Sequence, residues 1–162
     1  GKDGLYVAMG TRLWRSDGTR WDEVWRTSGN SGRITVVLPL EDGSLWVGAR
    51  RGLFRLQAAS PGAGETQTHS NRERLEVVAS TLSDVWVKAL AFHGPHLWVG
   101  SWDRGLLLVE PSGGDVIPLA APVMHGQRIS DITFDREGGL WLAIYGGGAR
   151  YLSAKVLGQL AR

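Results

Sequence analysis

Covalent chemistry finds little support among the residues of this 162-residue chain. It has no cysteine, which removes disulfides, thiolate metal sites and thiol nucleophiles together. His93 and His96 flank a Gly-Pro turn at a spacing that two metal ligands could share, but no third ligand stands nearby, so no metal is expected. His69 and His125 read as solvated loop residues. Ser101, Asp103 and His125 can be drawn as a triad, yet no nucleophile elbow or oxyanion-hole motif accompanies them, and no catalytic residue is expected. Gly146-Gly147-Gly148 lacks the Lys-Ser/Thr of a phosphate loop, and no kinase, cyclase or cofactor motif is present. The more suggestive set is non-covalent: Arg12, Arg33, Arg50, Arg51, Arg104 and Arg128, with Trp102, Asp103 and Tyr145, all in short segments between apolar runs. Guanidinium forks bind carboxylates and sulfates through paired hydrogen bonds, and exposed rings stack on sugars and cations. The bland alternative is that these arginines are ordinary solvated loop residues, so the question becomes which elements would bring them together.

Internal repetition answers it. Gly43-Ser44-Leu45-Trp46-Val47-Gly48, Pro95-His96-Leu97-Trp98-Val99-Gly100 and Gly138-Gly139-Leu140-Trp141-Leu142-Ala143 share one pattern, and Asp3-Gly4-Leu5-Tyr6-Val7-Ala8 is a fourth copy. Their aromatics, Tyr6, Trp46, Trp98 and Trp141, stand 40, 52 and 43 residues apart. Each copy is followed by a second apolar run: Leu13-Trp14-Arg15, Leu53 to Leu56, Leu106 to Val109, and Ala149 to Leu152. The last three copies are preceded by β-rich runs at Ile34 to Leu38, Val85 to Leu90 and Ile129 to Phe134. The turns between, Glu41-Asp42-Gly43-Ser44, His93-Gly94-Pro95-His96 and Arg136-Glu137-Gly138-Gly139, hold the Gly, Asp and Pro that tight turns need. Weaker fourth strands fit Arg20 to Arg26, Leu75 to Ala79 and Val116 to Leu119. A unit of four short antiparallel strands over about 40 to 50 residues has the spacing of a β-propeller blade. Leu-Trp-Val supports this, because alternate residues point to opposite faces and all three are apolar: the sheet must be packed on both sides.

The sequence therefore predicts an all-β fold, a β-propeller of four-stranded antiparallel blades. Blade 1 falls at about 1–27, blade 2 at 33–80, blade 3 at 85–120 and blade 4 at 128–162. Residues 57–74 read as a mobile loop insertion that explains the longest repeat spacing, and Ser153 to Arg162 as a strand, although Val156, Leu157 and Leu160 would also fit a helical face. No first strand is visible for blade 1. Part of a larger propeller is the favoured expectation, with a closed four-bladed ring as the alternative. Tyr6, Trp46, Trp98 and Trp141 are expected as blade-packing core, as are Trp14, Trp21, Trp25 and Trp86. In such a blade the loops from second to third strands, and from each fourth strand to the next first strand, emerge at one end. That mouth would hold the six arginines, Trp102, Asp103 and Tyr145.

The repeat resembles the two-component regulator propeller, most closely at Leu40-Glu41-Asp42-Gly43-Ser44-Leu45-Trp46-Val47-Gly48 followed by Gly52-Leu53-Phe54-Arg55. Copies three and four keep Leu-Trp but replace the acidic turn with His93-Gly94-Pro95-His96 and the second motif with Gly148-Ala149-Arg150-Tyr151. The resemblance implies a non-catalytic sensor, the periplasmic or extracellular part of a membrane-anchored histidine kinase, hybrid kinase or diguanylate cyclase, dimeric in the full-length protein. It implies a small-molecule or oligosaccharide ligand, and the mouth residues suit an acidic one. A propeller-type glycan lyase or sialidase-like enzyme and a protein-interaction scaffold are the other readings.

Composition sets the outer limits. Glycine, at 23 of 162 residues, runs at about twice its usual share, and with 6 Pro it still falls short of low-complexity levels. With 43% hydrophobic residues there is material for a core, and no apolar run approaches a membrane-spanning helix. Eighteen basic against 16 acidic residues leave a formal charge of +2, too small an excess to imply nucleic acid.

Overall fold

The computed structural model describes residues 4–59, 74–117, 119 and 124–160. Fourteen strands among them form four antiparallel sheets, the blades of a β-propeller. Blade 1 contains β1 (Leu5–Met9), β2 (Arg12–Ser16) and β3 (Trp21–Arg26), in that order. Blade 2 is β4 (Ile34–Pro39), β5 (Leu45–Ala49), β6 (Leu53–Ala58) and β7 (Leu75–Thr81). Blade 3 is β8 (Val87–His93), β9 (His96–Ser101), β10 (Leu106–Val109) and β11 (Val116–Ile117). Blade 4 is β12 (Ile129–Phe134), β13 (Leu140–Ile144) and β14 (Gly148–Leu152), followed by α1 (Ala154–Leu160). The insertion expected at 57–74 lies for the most part outside the described residues.

Each blade has two unlike faces, set by the repeated tripeptide. In blade 2, Leu45 and Val47 pack toward blade 1 with Leu13, Val24 and Ile34, while Trp46 packs toward blade 3 among Val87, Leu90, Leu97 and Val99. Blade 3 repeats this: Leu97 and Val99 face blade 2, and Trp98 lies among Ile129, Ile132, Leu140 and Leu142 of blade 4. Trp46 and Trp98 are 0% and 2% exposed. Alternation along an extended strand is the cause, since neighbouring residues project to opposite faces of the sheet.

The tight turns follow the acidic motif. Asp42 Oδ1 accepts from the Ser44 amide at 2.8 Å and its hydroxyl at 2.6 Å, and Gly43 takes a φ of 83°, where a side chain would be strained. Asp135 does the same work in blade 4, accepting from the Glu137 and Gly139 amides at 3.1 and 2.7 Å.

Two expectations are corrected. The C-terminal segment is a helix, not a strand: Leu157 and Leu160, one turn apart, bury themselves in the cluster between blades 3 and 4 at 3% and 5% exposure, a contact that strand periodicity would split between two faces. Trp141 is not core. It holds the position of Trp46 and Trp98, but on the outward face of blade 4, where no blade among the described residues covers it, and it remains 46% exposed beside Tyr151 at 4.9 Å. For the same reason Trp21, on the outward face of blade 1, is 48% exposed. Tyr6 packs toward blade 2 and is half-buried.

Candidate functional site

The loops at the mouth are stitched by a hydrogen bond that recurs in three blades. Arg50 donates its amide to the Arg33 carbonyl at 3.0 Å, Trp102 to Trp86 at 2.9 Å, and Tyr145 to Arg128 at 2.8 Å. Residues 33, 86 and 128 each precede a first strand, and 50, 102 and 145 each follow a second strand, so the repeat places these pairs in equivalent positions. Just inside them, each first strand carries a bulge: the register shifts between Ile34 and Val36, Val87 and Ala89, and Ile129 and Asp131. An extra residue at a bulge re-aims its side chain. Thr35 and Ser130 use it to donate to the carbonyls of Gly48 and Ala143, whereas blade 3 has Lys88 there.

Side chains from three blades converge on this row. The Trp86 and Trp102 ring centroids are 5.3 Å apart, and Trp102 and Tyr145 are 4.8 Å apart, all in tilted contact. Arg50 of blade 2 lies over Trp86 at 5.1 Å, Arg128 lies over Trp102 at 5.5 Å, and the Lys88 ammonium is 5.7 Å from both rings. The result is a ladder of three aromatic rings edged by three cations. Cation–π contacts of this kind contribute roughly 0.5–1 kcal/mol each at exposed sites. No carboxylate among the described residues pairs with Arg50, Lys88 or Arg128, so their mutual repulsion is relieved only by the rings and solvent.

Of the residues expected at the mouth, Arg50, Trp102, Arg128 and Tyr145 are therefore brought together. Arg12 lies 3.7 Å from Glu23, which pairs more closely with Arg26 at 2.8 Å, and Arg104 pairs with Asp84. Arg33 and Arg51 stand exposed on the same loops, without a side-chain partner among the described residues. Asp103 accepts a hydrogen bond from the Trp86 amide at 3.2 Å and so ties down the backbone that carries the ladder's first ring. Trp86, expected in the core, is a rung, and Lys88, which is not among the residues expected at the mouth, joins it. The alternation Trp86-Val87-Lys88 was the available signal, since Val87 is fully buried and residues on either side of it turn the other way.

Ser101 of the drawn triad and His93 of the His93–His96 pair have structural occupations. The Ser101 hydroxyl is wholly buried, donates to the Gly105 carbonyl at 2.9 Å and accepts from the Arg104 amide at 2.8 Å. His93 stacks on Phe134 with ring centroids 4.2 Å apart.

No family model and no curated protein sequence matches the chain. Solved structures do resemble it, and they are β-propellers. The extracellular domain of the hybrid two-component system protein BT4673 from B. thetaiotaomicron superposes with a TM-score of 0.64 at 20% identity, over 92% of this chain and 19% of that one. PorZ, a bacterial surface component of the type-IX secretion system of Porphyromonas gingivalis, gives 0.63 at 18% identity, over 94% of this chain and 25% of that one. The β-propeller domain of Cps50 (Swd1) from Myceliophteria thermophila gives 0.63 at 17% identity, over 90% of this chain and 46% of that one. The chain thus spans less than half the length of each of these neighbours. They establish the fold, a β-propeller that recurs in extracellular domains of signalling proteins.

Proposed function

We propose that the chain is a non-catalytic sensor propeller of the two-component regulator kind, lying outside the cytoplasm as part of a membrane-anchored signalling protein, with an acidic oligosaccharide as its ligand. The observation that carries this reading is the ladder Arg50–Trp86–Trp102–Tyr145 with Lys88 and Arg128: three cations with no carboxylate partner among the described residues and three contiguous rings, contributed by three blades at one end of the propeller. Carboxylate or sulfate groups would draw the cations off the ring faces into charge-assisted hydrogen bonds, and sugar faces would stack on the rings they vacate. A ligand lying across the row bridges blades 2, 3 and 4 and favours whichever arrangement of them it fits best, which is how its binding would reach the rest of the protein. The repeat resemblance and the likeness to extracellular domains of two-component proteins support the signalling role.

Calorimetric titration with uronate- and sulfate-bearing oligosaccharides, alongside neutral counterparts, tests it. The expected result is heat from acidic members only, with affinity reduced at least tenfold in Trp102→Ala and in Arg128→Ala. Absence of heat with every acidic member would remove the ligand, and unchanged affinity in both variants would remove the site. Turnover of any panel member would favour a lyase or sialidase-like enzyme instead.

A further inference from the structure

Blade 3 packs against blade 2 on one face and blade 4 on the other, and its first-strand bulge breaks the pattern of both neighbours. Thr35 and Ser130 are short hydroxyl residues that turn back on their own sheets, donating to Gly48 and Ala143 at 3.1 and 3.2 Å. Lys88 holds the same place with a long apolar stem and an ammonium. That ammonium has no hydrogen-bond or carboxylate partner among the described residues. The backbone beneath it is pinned. The Val87 carbonyl accepts from the Thr35 hydroxyl of blade 2, and the Val87 side chain is fully buried against Gly48. Asp103 holds the Trp86 amide, and the Trp102 amide holds the Trp86 carbonyl. A mobile charged side chain therefore rises from a fixed base.

Lys88 also differs from the other two cations of the ladder. Arg50 and Arg128 are exposed and each lies over one ring, whereas Lys88 is half-buried and 5.7 Å from both Trp86 and Trp102. Solvent screens its charge least of the three. Beside it stands a donor with nothing to donate to: the Trp86 indole N–H is covered from solvent and has no hydrogen-bond partner among the described residues. Trp46 and Trp98 share that condition, but inside the blade interfaces, among aliphatic side chains. Trp86 is half-buried at the mouth, with Arg50 over its ring and Lys88 next to it. A covered, unpaired N–H destabilises the ladder as it stands, and so does the mutual repulsion of the cations. An anionic group entering between them relieves both.

On the reading of the ladder as an acidic-glycan site, we propose that Lys88 and the Trp86 indole N–H together form its anion subsite, each donating to the oxygens of one carboxylate or sulfate group. Arg50 leaves the Trp86 ring as the group enters, which uncovers the N–H. Lys88 is then the residue that separates acidic from neutral ligands, while Arg50 and Arg128 add attraction from the exposed edges of the row.

Nitrogen–proton correlation NMR of the tryptophan indoles tests the subsite, with glucuronate, inorganic sulfate, glucose and uronate- and sulfate-bearing oligosaccharides as probes. Trp86→Phe keeps a ring in the ladder and identifies the Trp86 signal by its loss. Lys88→Met keeps the stem and removes the charge, and urea midpoints matching the parent's will show that both variants fold. The expected result is a downfield move of the Trp86 indole signal with the acidic probes and none with glucose, abolished in Lys88→Met. Oligosaccharide affinity should fall roughly tenfold or more in Lys88→Met, the worth of one hydrogen bond to a charged group. Two results overturn the subsite while the acidic-ligand reading stands: acidic oligosaccharides that shift Trp102 but leave the Trp86 indole unmoved, or that bind Lys88→Met as tightly as the parent. A Lys88-dependent shift of Trp86 with glucuronate and sulfate, without oligosaccharide binding, supports the subsite and removes the oligosaccharide. No indole shift with any acidic probe overturns both.

Discussion

Replacing Gly48 or Gly100 with alanine tests the packing of the blades most directly, because two effects of opposite sign compete at one atom. In an open strand, glycine to alanine stabilises a protein by about 0.4–1 kcal/mol, since alanine has less freedom to lose on folding. Here a Cβ on Gly48 would lie 2.5 Å from Val87 Cγ1 and 2.7 Å from Val36 Cγ1, and one on Gly100 would lie 2.6 Å from Ile129 Cγ2. All three neighbours are β-branched and stiff at χ1, so relief must come from parting the blades and, for Val36, from shifting its own strand within blade 2. Overpacking of this kind costs about 1–3 kcal/mol, which outweighs the entropic gain and leaves each variant about 1–2 kcal/mol less stable. With a typical dependence on denaturant, the urea midpoint falls by roughly 0.5–1 M. Ala143 holds the same repeat position on the outward face of blade 4, where no further blade lies against it among the described residues, so Ala143→Gly should cost only about 0.5–1 kcal/mol of strand entropy. A Gly100→Ala midpoint equal to or above the parent's would refute the claim that the first strands of blades 3 and 4 seat directly on the preceding blade's glycine.

Two further outcomes are expected. Leu157→Ala removes a side chain only 3% exposed from the cluster between blades 3 and 4, and should lower stability by about 2–5 kcal/mol in urea unfolding, whereas a frayed terminal helix would register almost nothing. Hydrogen bonds from Thr19 hold the Asp17 carboxyl down at about 2, and those from Ser44 lower that of Asp42. A carboxylate whose folded pKa lies below its unfolded value of about 3.9 contributes stability above that pH and loses it as the pH falls toward the folded value. Urea midpoints should therefore hold from pH 7 to about 4.5 and drop between about 4 and 2, and the double variant Asp17→Asn with Asp42→Asn should be less stable at pH 7 with a shallower acid limb. An acid limb unchanged in that variant would show that other carboxylates govern it.

The repeat of Leu-Trp-Val, its acidic turn and the apolar run that follows are local patterns. Together they determined the blades, their strand order and the end of the fold at which the arginine-bearing loops emerge. Local pattern also carried four of the six ladder residues, because loops at equivalent repeat positions must share an end. Tertiary structure decided what depends on a neighbour. Trp98 and Trp141 are the same letter in the same motif, yet one is buried and the other half exposed, because among the described residues a blade lies against Trp98 and none against Trp141. Val156, Leu157 and Leu160 fitted two periodicities, and the hydrophobic cluster between blades 3 and 4 selected the helix that places Leu157 and Leu160 on one side. Arginines alike in sequence divided into those set beside a carboxylate, Glu23 or Asp84, and those left beside indole rings, a distinction made by atoms about 10 to 40 residues away in the chain. A strand's pattern says which faces must be covered; what covers them is settled by packing, and that depends on contacts no single segment contains.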